Sequence, residues 1–252
     1  MIQIHPLTGI GEVAPGASLG GLLSERLVAL GLTPFEAGDI LVVTQKIVSK
    51  SEDRFVDLAA VEPGPEAIRL AEVTRKDPRL VEIVLSESHS VLRAVPHVLI
   101  TRHRSGHVMA NAGVDRSNIG TRGGDEALLL PDDADASADR IRAGLAAQFA
   151  DPPAVVISDS FGRPWRMGVV GVALGASGLP ALVDRRGALD RDGRVLEVTQ
   201  IALADMLATA AGLAMGEGAE GVPAALVRGL SWPAEPRPAS ALVRPLDEDL
   251  FQ

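Results

Sequence analysis

An acid, a hydroxyl and two guanidinium groups crowd the end of one apolar run. In "VVISDSFGRPWRMGVVGVALG", Val155 to Gly175, Asp159 and Ser160 follow a β-branched stretch, Arg163 and Arg166 come next, and the chain then turns apolar again. An Asp at the end of a buried strand serves either as a cap or as a metal ligand. A second cluster, "NAGVDRSNIG" from Asn111 to Gly120, sets Asp115 and Asn118 three positions apart, where one turn could aim both at one ligand. The same composition also makes an Asx-rich turn. In "TQKIVSKSEDR", Thr44 to Arg54, the groups Lys46, Ser49, Lys50 and Arg54 follow a strand-like run and suit phosphate or carboxylate, or form a solvated basic edge. In "MGEGAEGVP", Met215 to Pro223, Glu217 and Glu220 sit among glycines. Glu217 could hold a metal if it faces inward; otherwise the stretch is a helix C-terminal cap with Gly216 or Gly218 left-handed. There is no cysteine, so oxygen ligands point to Mg²⁺ or Mn²⁺ rather than structural zinc. No GxxxxGK[ST] motif is present, so a nucleotide must be held by another device. His89, His97, His103 and His107 lack metal spacing, and Ser160 lacks a nucleophile-elbow setting.

Elements must position these groups. Ser18 is the expected N-cap of a helix over "SLGGLLSERLVAL". The run "ILVVTQ" after Asp39 reads as a buried strand, and "DPRLVEIVLSES" as a helix with Pro78 in its first turn. "HVLITRH" and "HVMANAG" read as strands around "RSG", "ADASADRIRAGLAAQF" as an amphipathic helix, and "PAVVIS" as a buried strand. "PALVDRRGALDRDGRVLEVT" suggests two strands around a polar loop. The apolar run from Met167 to Val183 is expected to be buried sheet, and "QIALADMLATAAGLAM" a helix inside the core. The Pro-rich segment from Trp232 to Pro245 should wrap the surface, with Trp232 and Leu242 as anchors. Helices and strands without regular alternation predict an α+β fold of mixed sheets with packed helices.

Composition bounds the function. The 252 residues, 46% hydrophobic and 23% charged, can form one unit, residues 1–252, with room for two interleaved lobes. A net charge of −9 argues against a nonspecific nucleic-acid surface. The longest apolar run is broken by Gly and Pro and is too short to span a membrane, and the start "MIQIHPLTGIG" lacks an export signal, so the cytoplasm is the expected location.

"TQKIVSKSEDR", "ESHSVLRAVP", "ANAGVDRSNIG", "ISDSFGRPWRMG" and "MGEGAEGVPAALVRGL" occur in the order, and with roughly the spacing, of the coenzyme F420 gamma-glutamyl ligases. The end "RPLDEDLFQ" is also similar to that family's tail. "NAGVDxSN" and "SDSFGRPWRxG" are the specific parts, and the chain resembles the free-standing form, without a reductase-like domain.

The resemblance implies a GTP-dependent amide ligase that joins L-glutamate to the lactyl carboxylate of coenzyme F420-0 and extends a gamma-linked tail through an acyl phosphate. It implies a pair of Mg²⁺ or Mn²⁺ ions, a response to K⁺, a homodimer and an α+β fold. By position, Asp115, Asp159, Ser160 and Glu217 match metal-binding sites of the family. Ile10, Gly11, Glu12, Val13, Gln45, Lys50 and Asn118 match nucleotide contacts, as does the loop Met215, Gly216, Glu217, Gly218, Ala219, Glu220, Gly221 and Val222. On chemical grounds Asp115 and Asp159 are the expected catalytic acids, with Arg163 and Arg166 as a clamp on the acceptor's phosphodiester or carboxylate. Gly11 replaces a Pro common in the family, and Val169-Val170-Gly171 replaces usually polar residues, which bears on the acceptor. Two other classes use the same residues: a metal-dependent GTP phosphohydrolase, and a non-catalytic deazaflavin- or nucleotide-binding module.

Overall fold

Local chemistry sets the elements before packing does. The computed structural model describes residues 1–120, 125–232 and 234–249. Their order is β1 (Gln3–Pro6), α1 (Leu19–Ala29), β2 (Ile40–Thr44), α2 (Gln45–Ser51), β3 (Phe55–Asp57), α3 (Pro65–Thr74), α4 (Pro78–Ser86), β4 (Ser88–Val95), β5 (Val98–His103), β6 (Val108–Ala110), β7 (Glu126–Leu128), α5 (Ala134–Ala146), β8 (Ala154–Arg163), β9 (Arg166–Ser177), β10 (Leu182–Asp184), β11 (Gln200–Ala202), α6 (Leu203–Met215) and β12 (Ala224–Arg228). Side-chain caps start three of the helices. Ser18 accepts from the Gly21 N–H, Asp77 from Arg79 with Pro78 behind it, and Asp133 from Ala136. Each cap satisfies an amide that the helix itself leaves unpaired.

The main sheet has the order β1-β12-β2-β8-β9. Its centre is the parallel pair β2 and β8, in register from Ile40 opposite Ala154 to Thr44 opposite Ser158. The other pairs are antiparallel. Both faces are covered, which is why the strand sequences are apolar without alternation. Leu41, Val43, Val155 and Ile157 face one core with α1 and α5, joined by Leu23, Leu27, Ile141 and Leu145. Ile40, Val42 and Val156 face a second core with Leu207, Ala211 and Met215 of α6. A third core, built from Leu58, Leu70, Val81, Val84, Leu99 and Leu129, joins α3 and α4 to β5. The smaller sheets pair β3 with β7, β10 with β11, and β4-β5-β6. The α+β expectation holds.

Several details differ from the sequence reading. Gln200–Ala202, the first residues of the run expected as a core helix, form β11 and pair with β10, and the helix starts only at Leu203. The strand over "PAVVIS" runs on to Arg163, so the hairpin of β8 and β9 carries Asp159 and Ser160 within a strand. The apolar run from Met167 is buried only from Ala173 onward; Met167 is 96% exposed, because the hairpin outruns the helices that cover it. Likewise α6 buries one face only, and Leu213 is 87% exposed. The tail does lie on the body: the Ala239 and Ser240 N–H groups donate to Asp135, and Trp232 and Leu242 pack on the second core. Residues 250–252 of the tail motif lie outside the described residues.

Candidate active site

At the carboxyl ends of parallel strands the backbone opens and the following residues project outward, the usual place for a ligand in an open sheet. Here β2 and β8 end side by side. Beyond Thr44 the chain turns into α2, and beyond Ser158 it delivers Asp159. Between them lies a cavity of about 590 Å³. Ile10, Gly11, Glu12 and Val13 line it, with Gln45 and Lys50 of α2, Asn118, Asp159 and Ser160, and the whole stretch from Met215 to Val222. Segments from five distant parts of the sequence therefore meet at one concavity.

Charge in the cavity is uneven. Burial pushes the Asp159 carboxyl up to about 6; the Ser160 N–H and the Lys46 ammonium oppose this, while the charges of Asp115 and Glu217 add to it. Asp115 does not line the cavity. It reaches it through Lys46, whose Nζ is 2.7 Å from Asp115 Oδ2. Burial pushes Asp115 up, but the hydrogen bonds from Lys46 and Ser117 outweigh this and hold it below the usual carboxylate range. The Ser160 hydroxyl donates to Glu217. Lys50 is buried, with Nζ 2.5 Å from Glu12 Oε1. Among the described residues no three His, Asp or Glu side chains stand at metal-ligating spacing.

The glycine-rich loop is held from both sides. Asn118 Nδ2 donates to Gly218 O at 3.2 Å, and the Gly218 N–H donates to Glu220 at 2.7 Å. Gly216 has φ of 77°, a conformation that side chains resist. Residues 216–221 also spell G-x-G-x-x-G, a spacing that escaped the motif reading. They follow a helix and precede a strand, the reverse of the dinucleotide fingerprint. Gly171 forms part of the wall, where a Cβ would lie 2.5 Å from the Ala208 backbone.

Arg163 and Arg166 stand apart from the cavity, paired at the end of the hairpin. Arg163 donates to Met167 O at 3.4 Å, and Arg166 is exposed. The cavity also gains residues that the sequence reading did not assign: Thr44, Ser158, Gly171, Ala208 and Gly212. Lys46, expected with Lys50 to suit phosphate or carboxylate, does line it, four positions before Lys50 on one helical face. The wall from β9 and α6 carries no polar signal that could have marked it.

The sequence family described as F420-0:Gamma-glutamyl ligase matches residues 9–229. The chain is 43% identical to the coenzyme F420:L-glutamate ligase of Methanopyrus kandleri, over 100% of this chain and 98% of that protein. It is 44% identical to the protein of that name from Methanothermobacter thermautotrophicus, over 85% of each chain. Identity is 45% with that from Halobacterium salinarum, over 87% of this chain and 84% of the relative. A match over most of the length, with the family's motifs meeting at one cavity, shows that the chain belongs to the F420-0:gamma-glutamyl ligase family.

Proposed function

We propose that this chain joins L-glutamate to the lactyl carboxylate of coenzyme F420-0 with GTP, and extends the product through gamma-glutamyl links. The observation that carries the reading is the convergence of the motif clusters on a cavity whose acids are short of positive charge. A carboxylate does not condense with an amine until it is activated. Phosphoryl transfer from GTP gives an acyl phosphate, the glutamate α-amine attacks its carbonyl, and phosphate leaves. Crowded anions make electrostatic compensation the main task of the protein.

Asp115, Asp159, Ser160 and Glu217 offer hard oxygen donors, and the raised Asp159 carboxyl marks a place where a cation is favoured; both fit Mg²⁺ or Mn²⁺. Such ions, when bound, would neutralise phosphate charge. Lys50 and the loop from Met215 to Val222 would hold the nucleotide, and Gln45 and Asn118 would fix its register. Arg163 and Arg166, outside the cavity, suit an acceptor that reaches past its mouth. K⁺ would act as a further counter-ion. The location is cytoplasmic, where GTP and glutamate are available.

The protein would act as a homodimer. Met167 and Val169 on the hairpin and Met206 and Leu213 on α6 are exposed, and a second copy would cover them. Light scattering at micromolar concentration should give twice the 26.3 kDa of one chain; a mass near one chain refutes the dimer.

The test of function is mass spectrometry of purified protein incubated with GTP, Mn²⁺, glutamate and the unglutamylated coenzyme. Products heavier by successive glutamyl units are expected. GDP release that ignores the acceptor would instead favour a phosphohydrolase, and binding without turnover a non-catalytic module.

A further inference from the structure

Asp115 has one oxygen to offer, and a lysine holds it. Oδ1 accepts from the Arg116 N–H at 2.7 Å, the Ser117 N–H at 2.7 Å and the Ser117 hydroxyl at 2.8 Å. Those three donors come from the chain immediately after Asp115, so they fix the carboxylate and leave Oδ2 as its outward lone-pair site. Oδ2 lies 2.7 Å from Lys46 Nζ. Lys46 has a second anchor that involves no acid, donating to Ser117 O at 2.9 Å. It also lines the cavity.

The two lysines of α2 are held differently. Lys50 is nearly inaccessible, with a side chain 5% exposed, and its partner Glu12 is 66% exposed. Lys46 and Asp115 are both partly exposed, at 23% and 32%. A buried ammonium loses its solvation if it leaves its partner, whereas a partly exposed one exchanges partners at small cost. Lys46 is therefore the mobile member of the pair.

We propose that Lys46 is an exchangeable counter-ion: it neutralises Asp115 in the empty site, yields Oδ2 to an arriving divalent cation, and then turns to phosphate while still held by Ser117 O. This rests on the metal- and nucleotide-binding reading above and adds a residue to it. An ammonium and a divalent cation cannot occupy the same oxygen, so the two compete. The competition keeps Asp115 from standing uncompensated in the empty site, and makes metal uptake weaker until a nucleotide offers Lys46 new partners.

The test uses nucleotide-free protein and no turnover. Mn²⁺ binding, followed by electron paramagnetic resonance at pH 7.5, should tighten in Lys46→Met and Lys46→Gln by roughly tenfold, the equivalent of about 1.4 kcal/mol. Lys46→Arg, which keeps the competing charge, should bind like the parent. Mn²⁺ affinity that stays the same or falls in both neutral variants overturns the proposal. An independent measurement needs no substitution in the protein observed. The ¹⁵N signal of the Lys46 ammonium, assigned by its absence in Lys46→Arg, should shift saturably as Mg²⁺ is added to the parent. A signal that does not respond overturns the proposal even if the neutral variants fail to fold. Neither readout involves GTP or the acceptor, so failure here leaves the ligase reading to its own mass-spectrometric test.

Discussion

The cavity and the join between β5 and α4 treat buried carboxylates in opposite ways. At the join, Glu87 caps α4, and both its oxygens lie 2.8 Å from Arg104 Nη2. Arg54 adds a contact at 3.4 Å and His103 Nε2 stands 3.6 Å away. Burial pushes Glu87 up, but His103, Arg104 and Arg54 outweigh it and its carboxyl falls below the ordinary value. In the cavity, Asp159 is partly buried; desolvation first, then the charges of Asp115 and Glu217, raise its carboxyl to about 6 against the Ser160 N–H and Lys46. The side-chain chemistry is alike and the neighbours differ. One region has matched its charge within the chain; the other holds an acid raised by burial and by acidic neighbours, the pattern expected where a site acts on a ligand.

Asp159→Asn should show the largest effect. Glutamate ligation is expected to fall by more than about a hundredfold, since even outer-shell changes at metal sites reach that size. Stability should move the other way. The raised carboxyl keeps its proton in the fold to a higher pH than in the unfolded chain, so stability falls as pH rises from the ordinary value of 3.8 through about 6. Above that range the penalty is constant, and the amide removes it. A pKa unit is about 1.4 kcal/mol and about 1 kcal/mol moves Tm by about 2–4 °C in a chain this size. Tm in chelator at pH 7.5 should therefore rise by a few degrees; a lower Tm breaks the contrast between the two regions.

Glu87→Gln tests the matched side. It removes the buried acid that Arg104 and Arg54 share and leaves them the exposed Asp132, and urea unfolding should show a loss of about 2–4 kcal/mol. A change below about 0.5 kcal/mol, the size of an ordinary surface substitution, would mean that the join does not depend on paired charge.

His107 sharpens the comparison by pH. It stands near the join, edge-on to Phe161 with ring centroids 6.0 Å apart. Burial, with the charge of His103, pushes it down to about 4. The unfolded chain therefore takes up a proton first as pH falls below 6.5, and stability is lost between about 6.5 and 4. The Tm of the parent relative to that of His107→Phe should therefore drop across that window, a difference from which the opposite trend of Asp159 cancels. Parallel profiles for parent and variant would remove His107 from the account.

Lys50→Ala should give the smallest effect, roughly a tenfold weaker GTP affinity by calorimetry, because a charge-assisted bond contributes about 1.5–3 kcal/mol and Glu12 already shares it. Overlaid titrations of mutant and parent would place Lys50 with the matched charges of the fold rather than with the site.

Much of the frame was legible because its signals are local. Ser18 and Asp77 announce helices α1 and α4 through backbone capping, and the β-branched runs before Gln45 and Asp159 announce β2 and β8. Glu217 and Glu220 among the glycines of Met215 to Pro223 could be singled out by type and spacing, whereas Ile10 to Val13 were marked only by the family resemblance. The exposed face of α6 was not legible, since leucine and methionine at helical spacing look the same whether a neighbour covers them or not. The isolation of Arg163 and Arg166 was hidden for a related reason: sequence distance from Asp159 is short, but an extended strand carries each residue about 3.3 Å further from the site.

The sequence by itself determined which residue types are available, where most helices and strands begin, and that the β-branched runs of β2 and β8 must be covered on both faces. Those outcomes depend on interactions within a few residues and on solvation, which scale with composition. Only the tertiary structure decided that β2 and β8 lie parallel and adjacent, and so that Lys46 faces Asp115 while Asp159 faces other acids. Electrostatic energy depends on separation and burial, and a chain that brings residues 46, 115, 159 and 217 together sets both only when it folds.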